Sequence, residues 1–172
     1  MSSTALVSIQ EYLETAYRPD RDYLEGELLE RNFGELEHSL LQTAVATWFW
    51  TRREEWKVLP LVEQRLQVAQ ARFRVPDIVI LRSEQPREAV ITIPPLLIIE
   101  VLSKDDSLRS MRERVDDYLR FGVKHVWILD PATKRAYVCT PTSFQEPEVG
   151  VLAVAESKVR IVLSEIFSQL NT

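Results

Sequence analysis

Leu96-Leu97-Ile98-Ile99-Glu100-Val101-Leu102 is an apolar run broken by a single carboxylate, and Arg74-Val75-Pro76-Asp77-Ile78-Val79-Ile80-Leu81 is a second short apolar run, with Asp77 inside it. Hydrophobicity that is continuous instead of alternating marks strands covered on both faces, as at the centre of an α/β sheet. The residues that follow fit this setting. Asp105, Asp106 or Ser107 caps a helix reaching Phe121, with Leu108, Met111, Val115, Tyr118 and Leu119 as its apolar stripe and Gly122 as its stop. His125-Val126-Trp127-Ile128-Leu129 then supplies another strand, and the order strand, helix, strand predicts a parallel crossover.

Outward from this centre, Ser8 to Ala16 reads as a short helix capped by Ser8, and Tyr23 to Leu29 as a hairpin turning at Gly26. Glu35 to Trp56 predicts the long helix, with Leu36, Leu40, Ala44 and Trp48 on one stripe and Leu41, Val45 and Phe49 beside it. Lys57 to Val68 reads as one edge-type strand bent at Pro60. Beyond the Asp130-Pro131 turn, Arg135 to Thr140 returns antiparallel, and Lys158 to Leu163 is a last strand before a helix over Ser164 to Leu170. The expected fold class is α/β: a mixed β-sheet flanked by helices, with antiparallel strand additions at the N- and C-terminal ends, in one domain over residues 1–172.

Composition narrows the function. The 172 residues, 45% hydrophobic and 27% charged, exclude wholesale disorder and fibrous repeats. The longest apolar run, Pro94 to Ile99, falls far short of the roughly 20 residues of a membrane-spanning helix, and no basic stretch followed by an apolar one opens the chain. Cys139 is alone and forms no internal disulfide, so the expected setting is a reducing cytoplasm, away from membranes. Lys and Arg number 21 against 26 Asp and Glu, a net charge of −5, so any contact with nucleic acid is local. Basic residues gather at Arg109, Arg112, Arg114, Arg120 and Lys124, and again at Arg72, Arg74, Arg82 and Arg87. Trp48 and Trp127 read as core, whereas Trp50 and Trp56 lie off the stripe and are candidates for a subunit contact.

Asp77 and Glu100 carry the chemistry. An unpaired buried carboxylate costs several kcal/mol or stays protonated, so each needs a cation, a metal or a set of donors. On neighbouring strands the two could share a hard cation such as Mg²⁺, held by carboxylate and carbonyl oxygens with water completing the shell. Alternatively Asp77 caps a turn after Pro76 and Glu100 pairs with an arginine; the residues alone leave both open.

The ordered set Tyr23-Leu24-Glu25-Gly26-Glu27-Leu28, His38, Arg74-Val75-Pro76-Asp77, Pro95 to Ser103, Tyr118, Phe121-Gly122-Val123 and Val126-Trp127-Ile128-Leu129-Asp130-Pro131 resembles the Uma family, grouped with the restriction endonucleases of the PD-(D/E)XK nuclease superfamily. The resemblance spans nearly the whole chain. It implies a restriction-endonuclease-like core that hydrolyses DNA phosphodiester bonds with Mg²⁺, or Mn²⁺, held by Asp77, Glu100 and the backbone carbonyl of Val101. It further implies Glu27 as an additional acidic residue and His38 as a supporting one. The superfamily's lysine should stand two positions after the glutamate, where this chain has Leu102. Similar families move the positive charge to the next helix, four residues before the tyrosine, which is Arg114 here. Lys104 is a second candidate, because residues 100, 102 and 104 share a face if the strand continues. Arginine grips phosphate in bidentate fashion, but its high pKa makes it a poor proton carrier. Relatives in the superfamily act as dimers, which implies DNA and a second copy of the chain as partners. The other functional class is a degenerate nuclease fold that binds nucleic acid or a protein without cutting.

Overall fold

The computed structural model describes residues 6–30 and 35–171. A six-stranded mixed sheet, in the order β10-β9-β8-β7-β6-β3, organises them: β3 (Val58–Val62), β6 (Ile78–Arg82), β7 (Leu97–Val101), β8 (Val126–Asp130), β9 (Arg135–Cys139) and β10 (Phe144–Gln145). Only β7 and β8 run parallel, and the helix α3 (Leu108–Phe121) connects them, so the predicted crossover is present. A smaller antiparallel sheet, β2-β1-β5-β4, sits beside it: β1 (Asp22–Leu24), β2 (Glu27–Leu29), β4 (Leu66–Ala69) and β5 (Arg72–Arg74). The strand additions predicted at the two ends are this small sheet's β1-β2 hairpin and the antiparallel β8-β9-β10 edge.

Both faces of the central strands are covered. Ile78, Ile80, Leu97, Ile99, Trp127 and Leu129 face the core shared with α2 (Leu36–Trp56) and α4 (Leu163–Ser168). Val79, Leu81, Ile98 and Ile128 face Met111, Val115 and Tyr118 of α3. The alternation within β7 therefore assigns Glu100 to the α3 side. Sequence alone cannot see this alternation, because both faces are apolar.

Local signals set the element ends. Ser107 caps α3 by accepting from the Ser110 N–H at 3.0 Å, and Gly122 ends it in the left-handed region at φ 107°, its Cα facing Pro94. The β1-β2 turn places both Glu25 (φ 48°) and Gly26 (φ 100°) at positive φ, as a two-residue hairpin demands.

Three expectations are corrected. The buried stripe of α2 is Leu41, Val45 and Phe49, and Leu36 is exposed, because the sheet meets the helix one residue further round. Lys57 to Val68 is two strands in two sheets, with Pro60 tolerated on the edge strand β3. Arg74 belongs to β5 and not to β6, since Pro76 has no N–H to extend a ladder. Trp56 packs edge-on against Phe49 at the margin of the core, whereas Trp50 remains half exposed. A further pair, β11 (Val151–Ala153) with β12 (Arg160–Val162), closes the C-terminal part. Among the described residues no helix is long and apolar enough to cross a membrane.

Cys139 is buried against the α3 side of the sheet, and burial pushes its thiol up to about 12. The reactive species is the thiolate, so a raised pKa removes it at every pH below that value. At about pH 8 roughly one thiol in 10⁴ is ionised, and a disulfide reagent should leave native Cys139 unlabelled while modifying it fully after denaturation. Rapid labelling of the folded protein would contradict the placement.

Candidate active site

β6 and β7 pair antiparallel with Ile78 opposite Ile99; Asp77, in the bend that leads into β6, and Glu100 of β7 are the residues next to that pair. Both lie in the interior, Asp77 at 3% exposure and Glu100 at 0%. Several of their neighbours supply positive charge or a donor. The Val101 N–H donates to Asp77 Oδ2 at 2.8 Å, and His38 Nε2 of α2 lies 3.3 Å from the same oxygen. One turn along α2, Gln42 donates to the Asp77 carbonyl at 3.1 Å. From α3, the Tyr118 hydroxyl donates to Glu100 Oε1, and Arg114 Nη1 stands 3.7 Å from Glu100 Oε2. Burial, and then the Glu100 charge, hold the Tyr118 hydroxyl well above its usual range, so it stays the donor.

Arg114 and Tyr118 are four residues apart on one face of α3, which is why one helix delivers both to Glu100. Arg114 is also 3.8 Å, through Nε, from Asp22 Oδ2. Both separations exceed hydrogen-bond reach, and among the described residues its guanidinium donates no hydrogen bond although the side chain is only 16% exposed. Burial opposes its charge, but Glu100 first and then Asp22 more than restore it, leaving the pKa above that of an ordinary arginine. The result is a permanent cation with an uncommitted fork of donors beside two carboxylates.

Asp22 connects this group to a second set. Its Oδ1 accepts from the Val75 N–H at 2.8 Å, and its Oδ2 accepts from Arg74 Nη1 at 2.8 Å. Arg74, 2% exposed, also gives Nε to Asp117 Oδ2 at 2.8 Å, and Arg72 reaches Asp117 at 2.9 Å and Glu25 at 3.0 Å. Charges of alternating sign thus run from Glu25 at the surface through Arg72, Asp117, Arg74 and Asp22 to Arg114 and Glu100.

The structure brings Asp77, Glu100, Arg114, His38 and the Val101 backbone together. Glu27 is exposed on β2, and among the described residues no hydrogen bond or ion pair joins it to them; the buried acid of that hairpin is Asp22. Lys104 is exposed and pairs with Glu35 at 2.6 Å, because β7 ends at Val101 and the face shared by residues 100, 102 and 104 does not persist. Sequence reading missed Asp22, Asp117 and Gln42. Asp22 opens a strand of only three residues, too short for its alternation to announce a buried side chain.

Among the described residues no group of three or more His, Cys, Asp or Glu side chains is placed to hold a metal ion, and the Asp77 and Glu100 carboxylates are two oxygen donors of the kind a hard cation takes. That suits Mg²⁺, which retains waters and takes one or two carboxylates from the protein.

The model of the Uma2 family, described as "putative restriction endonuclease", matches residues 9–171, and the chain belongs to that family. A crystal structure of a protein described as a "putative nuclease belonging to DUF820" from Anabaena variabilis superposes with a TM-score of 0.82 at 21% identity, covering 95% of this chain and 99% of that one. The two share a fold. No curated protein matches the chain.

Removing one member of a buried ion set strands the others. Arg74→Ala should cost about 3–5 kcal/mol in urea unfolding, against about 0.5 kcal/mol or less for Arg87→Ala at an exposed position. Equal effects would show that the Asp22–Arg74–Asp117 set does not support the fold.

Proposed function

We propose that this member of the Uma2 family is a Mg²⁺-dependent endonuclease acting on DNA phosphodiester bonds. One observation carries the reading: Asp77 and Glu100 are both buried, beside an arginine whose guanidinium donates no hydrogen bond among the described residues. Asp77, Glu100 and the Val101 carbonyl would hold the cation, and Mn²⁺ has the same preference for oxygen ligands. Bound there, the cation supplies charge against the phosphoryl oxygens and acidifies a water.

The chain's own residues do the rest. Arg114 presents its planar fork to the non-bridging oxygens of the scissile phosphate, an interaction it is free to strengthen as negative charge develops. It stays protonated throughout and carries no proton, so its role is electrostatic. Tyr118 fixes the orientation of Glu100, while His38, Gln42 and the Val101 N–H fix Asp77; each costs no reorganisation when substrate arrives. With a net charge of −5, DNA is held by such local contacts and not by a broad basic surface. Two copies of the chain would place two such sites on the two strands, with the half-exposed Trp50 as a candidate contact.

A second reading is a nuclease fold that binds without cutting. It is favoured by Leu102 at the place of the superfamily's lysine and by the two acids flanking Arg114.

Titration calorimetry with Mn²⁺ separates the two readings. The cleaving reading expects saturable binding by wild type that is lost in a folded Asp77→Asn variant, and Mg²⁺-dependent nicking of supercoiled plasmid that falls by about 10²–10³-fold or more in Glu100→Gln. A folded wild type that binds neither metal would move the assignment to the binding reading. Equal nicking by wild type and Glu100→Gln would remove Glu100 from the chemistry.

A further inference from the structure

At the end of the sheet opposite the carboxylates lies a cavity of about 640 Å³. Asp77 and Arg82 flank the two ends of β6, about 16 Å apart along the strand, so the two sites are separate. The floor of the cavity is apolar core, formed by Trp56, Val58, Leu96, Val154 and Val159. Its rim carries three cations, Lys57, Arg82 and Lys124, contributed by the end of α2, the end of β6 and the approach to β8. All three are exposed, and among the described residues none has a carboxylate within ion-pair distance. Some cations elsewhere are paired, as Arg65 with Asp20, Arg135 with Glu146 and Lys158 with Glu55, while others such as Arg87 and Arg109 have no ion-pair partner among the described residues. What sets the rim apart is that three such cations gather around one concavity in a chain of net charge −5.

His125, next to Lys124 in the sequence, also lines the cavity. Burial first, and then Arg82 and Lys124, lower its pKa, so the ring is neutral and can donate or accept a hydrogen bond without adding charge. Two exposed carboxylates, Glu84 and Glu156, also line the cavity, so it is not a site for a bare anion alone. Its contents match a ligand with three chemically distinct parts: a phosphate for the cations, hydroxyl groups for the carboxylates, and a flat apolar body for the Trp56 side of the floor. The volume is within the range of pockets that hold small molecules.

We propose that this cavity binds a nucleoside phosphate, with Arg82, Lys124 and Lys57 on the phosphate, Glu84 and Glu156 on the sugar hydroxyls, and the base against the floor at Trp56. The site is distinct from the carboxylate pair and does not depend on cleavage. Arg82 and Lys124 stand in separate basic clusters of the sequence, and only the fold brings them to one rim.

The test is calorimetric titration of AMP into the full chain in EDTA, which keeps the nucleotide from binding through a divalent cation at Asp77 and Glu100. Saturable binding is expected, with adenosine and pyrophosphate each weaker than AMP. The double variant Arg82→Gln with Lys124→Gln should lose at least about tenfold in affinity. Both side chains are exposed, so the variant should keep the wild-type circular dichroism and unfolding midpoint. Absence of saturable AMP binding at millimolar concentration, affinity unchanged in the folded double variant, or pyrophosphate binding as tightly as AMP would each overturn the proposal.

Discussion

Two buried carboxylates, Asp77 and Glu100, are the constraint around which this protein is built. Taking a carboxylate out of water is costly unless donors or cations meet it, and the sheet itself offers the Val101 N–H to Asp77. The rest of the compensation comes from the two helices flanking the sheet. α2 contributes His38 and Gln42, α3 contributes Arg114 and Tyr118, and the fold positions both helix faces to reach one point.

The compensation is incomplete in an informative way. Arg114 stops short of hydrogen-bond distance from both Asp22 and Glu100, so its charge is used and its donors are not. A purely structural arginine at such depth behaves as Arg74 does, with its nitrogens at 2.7–3.2 Å from three acids. The contrast between two buried arginines sharing one aspartate separates the part of the network that holds the sheets together from the part suited to a ligand. Buried charges left in this state are costly, and such costs are tolerated where function requires them.

The sheet also divides the molecule into two ends of different character. At one end lie the buried carboxylates Asp77 and Glu100; at the other, exposed basic groups rim an apolar floor. The strands between are apolar on both faces, so the two ends are joined by packing and not by a chain of polar groups.

Much of this was legible in the residues themselves. Continuous apolar strands, the Ser107 cap, the Gly122 stop and the crossover order determined the α/β core, because each is a local consequence of side-chain chemistry or backbone freedom. Asp77 and Glu100 were visible because a charge inside an apolar run contradicts its surroundings, and Arg114 and His38 because an ordered pattern tied them to that pair. Tertiary structure alone decided the remainder. That Asp22 and not Glu27 is the buried acid of the hairpin, that Arg74 crosses to Asp117, that Lys104 turns away to Glu35, and that Arg82 meets Lys124 all depend on pairs distant in sequence. A strand of three residues carries no readable periodicity, and an ion pair leaves no mark on either partner's neighbours, so these choices are made only when the sheets and helices close on one another.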